Sequence, residues 1–166
     1  MDRAFPRRKE IRLKQHDYNQ PGYYSVTICT AVRNRGILCH IHSVGGAALG
    51  APDVTLTAEG VVVAHLVENM EQVYRGQIRI DCFVIMPDHI HFLLEILGRE
   101  SGSPRSATPT ALPQIVNTLK GLATKQIGRP TWQRGYYDHV IRNDTDLAET
   151  RQYIANNPRN WILNKD

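Results

Sequence analysis

Cysteine is scarce. Only Cys29, Cys39 and Cys82 occur among 166 residues, and none forms a C-x-x-C pair. An odd, unpaired set of this kind argues against a structural zinc site. With no signal-like apolar segment beside it, the set points to a reduced, cytoplasmic compartment. Long apolar runs are also lacking, none approaching the roughly 20 residues needed to span a bilayer, so no membrane role is expected. Neither sign of charge dominates: Lys and Arg number 20 against 16 Asp and Glu, a net +4, which favours a polyanionic partner only weakly. With 42% hydrophobic and 22% charged residues, the composition is that of a folded chain rather than a disordered one. The length suits a basic arm over residues 1–20 and a single domain over 21–166.

Against this plain background one stretch stands out, Phe83 to Leu97, FVIMPDHIHFLLEIL, in which two imidazoles lie one residue apart inside an apolar run. On a strand, residues i and i+2 share a face. His89 and His91 therefore project side by side, while Ile90, Phe92, Leu94 and Ile96 form the opposite, core face. Pro87 and Asp88 supply turn chemistry, so Ile78–Met86 and His89–Leu97 read as antiparallel strands joined by a tight connection. Two imidazoles on one face can chelate a divalent ion and leave positions open for a third side chain, water or a phosphate oxygen.

The rest of the chain supplies a frame for this pair. Arg3, Arg7, Arg8, Lys9, Arg12 and Lys14 make the first 20 residues a basic arm, either a solubilising terminus or a phosphate contact. The alternating run Tyr23–Thr30 is a strand burying Tyr24, Val26 and Ile28. Residues 33–54 read as a Gly- and Ala-rich loop with room for a short hairpin, and no ordered strand is evident around its own pair, His40 and His42.

Leu56–Tyr74 reads as a helix with Thr57 as N-cap, an inward stripe of Val62, Leu66, Met70 and Val73, and Gly76 closing it. Residues 98–110 form a surface connection, and Leu112–Ile127 a second helix stopped by Gly128 and Pro130. A short strand falls within Trp132–Ile141. The last helix enters through Asn143, Asp144, Thr145 and Asp146, with Asp146 and Glu149 spaced like a capping box, and ends near Asn157 because Pro158 disfavours helical geometry before it. The succession is α+β: a ferredoxin-like split βαβ sandwich, an antiparallel sheet with helices on one face and an extra C-terminal helix. Its uncovered face is expected to be free for a ligand.

Tyr153 and Asn157 stand one above the other on a flank of that last helix. A divalent ion held by His89, His91 and the side-chain oxygen of Asn157 could polarise a phosphodiester, and the Tyr153 hydroxyl could attack phosphorus. A phenol is mostly protonated at neutral pH, its reference pKa being about 10, so keeping nucleophile and ion together has a chemical motive. Tyr136 and Tyr137, near Trp132, suit packing or base stacking better than attack.

Three stretches taken in order, MPDHIHFLL, WQRGYYDHVIRN and YIANNPRNW, resemble the single-tyrosine HUH transposases of the insertion-sequence type, and more closely their REP-associated tyrosine transposase branch. The resemblance covers nearly the whole chain after the arm. It implies a nuclease that cuts single-stranded DNA next to an imperfect hairpin, leaves a 5′-phosphotyrosine and a free 3′-hydroxyl, and uses Mg²⁺ or Mn²⁺. Carried over by motif, His89 and His91 are the metal ligands and Tyr153 the nucleophile. Many insertion-sequence relatives have Gln as third ligand where this chain has the shorter Asn157, as in the REP-associated branch. Such relatives include homodimers and monomers.

The basic residues expected to meet DNA phosphates are Lys120, Lys125, Arg129, Arg134 and Arg142, together with Arg159 and the arm. Two other readings stay open at this stage: a module of the same fold that binds nucleic-acid hairpins without cutting them, and a hydrolase in which the ion activates water.

Overall fold

The computed structural model describes residues 16–32, 36–42, 52–98 and 111–163. Most of the basic arm and nearly all of the 98–110 connection lie outside the described residues. Among the described residues ten elements follow in order: β1 (Gly22–Cys29), β2 (Cys39–His42), β3 (Asp53–Leu56), α1 (Ala58–Glu68), α2 (Met70–Val73), β4 (Ile78–Ile85), β5 (His89–Ile96), α3 (Leu112–Ile127), β6 (Tyr137–Val140) and α4 (Asp144–Leu163).

The main sheet has the order β4-β5-β1-β6, with every neighbouring pair antiparallel. Two crossovers produce it: one from β1 through α1 to β4, the other from β5 through α3 to β6. They are the interleaved halves of a split βαβ fold. Alternation sends Tyr24, Val26 and Ile28 of β1 and Ile90, Phe92, Leu94 and Ile96 of β5 into one core, against Val63, Leu66 and Val67 of α1 and Ile115, Val116 and Leu119 of α3. Each such side chain contributes on the order of 1.5–3 kcal/mol by leaving water.

Several local readings are corrected. The short hairpin for which residues 33–54 had room is present and puts His40 and His42 on an ordered strand: Cys39–His42 pairs with Asp53–Leu56, with Cys39, Ile41, Val54 and Leu56 on the core and His40 and His42 exposed. The helix expected over Leu56–Tyr74 starts where expected, with the Thr57 side chain accepting from the Gly60 N–H. It breaks at Asn69, whose side-chain amide donates to the His65 carbonyl at 2.7 Å, local bonding that competes with helix continuation. Its inward stripe is Val63, Leu66, Val67 and Met70, while Val73 is exposed. Three successive valines at 61–63 leave the helical phase ambiguous, and the approach of Gly60 to the Leu38 backbone settles it.

The largest correction concerns α4. The helix runs on through Pro158 to Leu163, although proline removes an intrahelical bond at a cost of ~3 kcal/mol. Asn157 and Pro158 are both buried and Trp161 packs beside His89, so tertiary contact holds the last turn. At the other end the cap is Asn143, whose Oδ1 accepts the Asp146 N–H at 2.9 Å. The Asp146 carboxylate accepts from the Arg142 N–H at 3.0 Å and bonds with His139 Nε2 at 2.8 Å, so it is not the cap of a box with Glu149.

Nor is the second sheet face bare. α4 lies across its β4 and β5 half, and among the described residues no helix covers the β1 and β6 half. None of the described helices is long and apolar enough to cross a membrane.

Candidate nucleic-acid cleavage site

The turn that presents the histidines is held at three points. Met86 N–H donates to the His89 carbonyl at 2.8 Å, Leu38 N–H to the Pro87 carbonyl at 3.2 Å, and Thr30 N–H to the Asp88 carbonyl at 2.8 Å. From it His89 and His91 emerge on the face opposite the core, ring centroids 4.7 Å apart and nearly perpendicular.

Each imidazole has one nitrogen already engaged. His91 Nδ1 shares a 2.7 Å hydrogen bond with Thr27 Oγ1, its neighbour across the β1–β5 pairing. His89 Nδ1 lies 2.7 Å from Asp88 Oδ1. With the protons on Nδ1, both Nε2 atoms carry the lone pairs, the arrangement in which a histidine binds a metal while its other nitrogen is oriented by an oxygen. Burial pushes the His91 pKa down to about 4, and repulsion from His89 in its protonated form acts in the same direction. His91 is therefore neutral at physiological pH, the ligating form.

α4 brings the remaining groups. The Tyr153 ring lies 5.4 Å from that of His91, edge to face, and the Trp161 ring 6.0 Å from that of His89. Tyr153, Asn157 and Trp161 follow one another at four-residue intervals, so they share one flank. Asn157 thus falls between two residues that bracket the histidines. It is 8% exposed, and its Nδ2 donates to the Tyr153 carbonyl at 3.3 Å, which leaves Oδ1 as its lone-pair atom. Tyr153 is 53% exposed, so its hydroxyl is open to a large substrate.

These residues fit a divalent ion of modest protein ligation. No group of three His, Cys, Asp or Glu among the described residues could hold one. The donors on offer are two imidazole Nε2 atoms and one amide oxygen, which leaves positions for substrate oxygens and water.

The basic residues fall into two groups. Lys125, Arg134 and Arg142 are exposed. Lys120 donates to the Gln133 and Gly135 carbonyls at 2.7 and 3.0 Å, tying α3 to the loop before β6, and burial lowers its pKa. Arg129 pairs with Glu59 at 2.6 Å, joining the end of α3 to the start of α1.

Sequence reasoning missed Thr27, Asp88 and Trp161. Asp88 was visible only as a turn residue, and Thr27 is 64 positions from its partner, so no local pattern reveals it. Trp161 had a signal, the four-residue spacing from Tyr153 through Asn157, hidden by the expected stop at Pro158.

The order of the sheet, the histidines on its second face and the helix laid beside them define a ferredoxin-like α+β protein with a sheet-borne site closed by its own C-terminal helix. This is the fold of a REP-associated tyrosine transposase: the structure of that protein bound to a REP hairpin matches with a TM-score of 0.60 at 19% identity, over 89% of this chain and 72% of that one. The chain belongs to the same family as an uncharacterized protein of Haemophilus influenzae, 33% identical over 172 residues, 93% of this chain and 89% of the relative. A second protein of that bacterium, provisionally named a REP-associated tyrosine transposase, is 30% identical over 80 residues, 45% of this chain and 46% of its own. No family model matches.

Proposed function

We propose that the chain is a metal-dependent transposase or nuclease that cleaves and rejoins single-stranded DNA beside a hairpin, through a 5′-phosphotyrosine on Tyr153. The observation that carries this reading is the edge-to-face approach of an exposed Tyr153 to a buried, oriented His91, 5.4 Å between ring centroids. Pure binding has no need of that juxtaposition. The transposase fold of the hairpin-bound neighbour and the partial match to its relative support hairpin DNA as the substrate.

In this reading the Tyr153 Oη forms a bond to phosphorus as the P–O3′ bond breaks, and the departing 3′-oxygen ends as a hydroxyl while the phenol loses its proton. Attack by an incoming 3′-hydroxyl reverses the step and joins strands. His89, His91 and Asn157 would hold Mg²⁺ or Mn²⁺, which when bound would supply positive charge for the phosphodiester oxygens. Asp88 and Thr27 keep the imidazoles aimed, and the Asn157 amide is anchored to the Tyr153 turn of α4 through the Tyr153 carbonyl. Tyr153 stands beside His91 of its own chain, and this reading assembles the set within one chain. Lys125, Arg134 and Arg142 meet the phosphates. Lys120 and Arg129 contribute positive potential from their present partners.

The test is cleavage of a hairpin oligonucleotide labelled at both ends, with Mg²⁺ or Mn²⁺, resolved on a denaturing protein gel. A protein band carrying only the label 3′ of the cut is expected. Cleavage without an adduct would point to a water-activating hydrolase, and binding without cleavage to a hairpin-binding module.

A further inference from the structure

The strand registers line up a row of four residues on the second sheet face: Val84, His91, Thr27 and Tyr137. Residues paired across antiparallel strands project to the same side, and the side is fixed independently. Val140, three residues on, packs against the core opposite Tyr24, and Tyr136 is buried in that core, so Tyr137 points away from it. Tyr137 therefore shares His91's face, two strands away, roughly 10 Å at about 4.8 Å per strand. The short Thr27 side chain, turned to His91, is all that the row places between them.

α4 covers the β4 side of this row, through Arg151 on Asp81 and Tyr153 on His91. On the other side Tyr137 remains 46% exposed. A large aromatic ring on an edge strand, level with a candidate phosphate-cutting site and uncovered by the helix, is unexplained by packing. Exposed Arg134 precedes it and exposed Arg142 follows β6. Basic residues bracketing an open aromatic face are what a single strand tracks, its phosphates on the cations and its bases on the ring.

We propose that Tyr137 is a stacking platform for a base next to the scissile phosphate, so that the strand enters over the open β1 and β6 half of the sheet and reaches Tyr153 at the edge of α4. This rests on the DNA-cleaving reading above. Stacking uses the ring and not the hydroxyl, and it adds no counterion release.

The experiment is equilibrium binding of the full chain to a fluorescein-labelled single-stranded 30-mer of mixed sequence, without divalent metal, across a salt series. Wild type, Tyr137→Ala and Tyr137→Phe are compared, with melting curves to verify folding. Tyr137→Ala is expected to weaken binding roughly 5- to 100-fold with an unchanged slope of log K against log salt, while Tyr137→Phe stays close to wild type. Equal binding by all three, with wild type binding well, overturns the platform and leaves the nuclease reading standing. A Phe variant as weak as Ala also overturns it, because the hydroxyl would then be what matters. If the wild type binds neither this strand nor hairpin oligonucleotides, the DNA reading itself falls and the platform with it.

Discussion

Arg151 of α4 grips Asp81 of β4 through two hydrogen bonds, Nε to Oδ1 at 2.8 Å and Nη2 to Oδ2 at 2.6 Å, and Asp81 is the extra residue of a bulge. The register passes from Ile80 opposite Leu94 directly to Cys82 opposite Leu93. A bulge re-aims a side chain out of the normal alternation. Here it meets a guanidinium two residues before Tyr153, and the fork-to-fork pair fixes the helix in direction as well as position.

Loss of this pair is expected to misplace Tyr153 more than it unfolds the protein, because the pair lies at the surface while the core sits on the other face. Asp81→Asn or Arg151→Ala should cut the rate of adduct formation by roughly 100-fold, the scale of a 1 Å misplacement, with hairpin binding retained. Single-turnover cleavage beside a melting curve checks this. Equal losses in rate and in folded fraction would mean that the pair serves stability alone.

The buried His91 makes stability depend on pH in a defined window. Its folded pKa is pushed down to about 4, against roughly 6.5 in the unfolded chain. Between these values the unfolded state binds a proton that the folded state refuses, so this contribution is present above about pH 6.5 and is lost as pH falls toward 4. Urea midpoints at pH 7 and pH 5 in chelator should fall further for wild type than for His91→Gln.

Asp88 orients His89 and is not itself placed as a ligand. Asp88→Asn is expected to lower Mn²⁺ affinity about 10- to 100-fold without abolishing it, whereas His89→Ala should abolish it. Calorimetric titration with Mn²⁺ separates the two outcomes.

Tyr153→Phe should eliminate the covalent protein–DNA product while leaving hairpin affinity within about twofold, since a single phenol hydroxyl at a half-exposed site contributes little to binding. Persistence of the adduct would assign the nucleophile elsewhere.

Among the described glycines, Gly60 has the closest neighbour. A Cβ there would lie 1.9 Å from the Leu38 carbonyl oxygen, where the first turn of α1 presses on the strand-flanking segment. Gly60→Ala should destabilise by at least ~1–3 kcal/mol through forced displacement of the packed backbone, read as a lower urea midpoint.

Much of this molecule was legible before its structure was known. The strands β1, β4 and β5, the helix α3 with its Gly128 stop and the inward sets around Tyr24 and Phe92 follow from alternation, helical spacing and turn residues, which are local properties. So does the projection of His89 and His91 to one side. What lay beyond reach is non-local. The hairpin β2–β3 has strands of only four residues, too short for a period to declare itself. Pro158 pointed to a helix end, and only the packing of Asn157, Pro158 and Trp161 outweighs that preference.

By itself, then, the sequence determined the α+β succession, the core face of the central strands and the residue types available for chemistry, because each is written in the spacing of neighbours along the chain. The tertiary structure alone decided that α4 lies over half of the second face, that Thr27 aims His91, that Arg151 locks onto a bulged Asp81 and that Tyr137 stands in the same row as His91. Those relations join residues tens of positions apart, and only strand register and helix docking bring them onto one face.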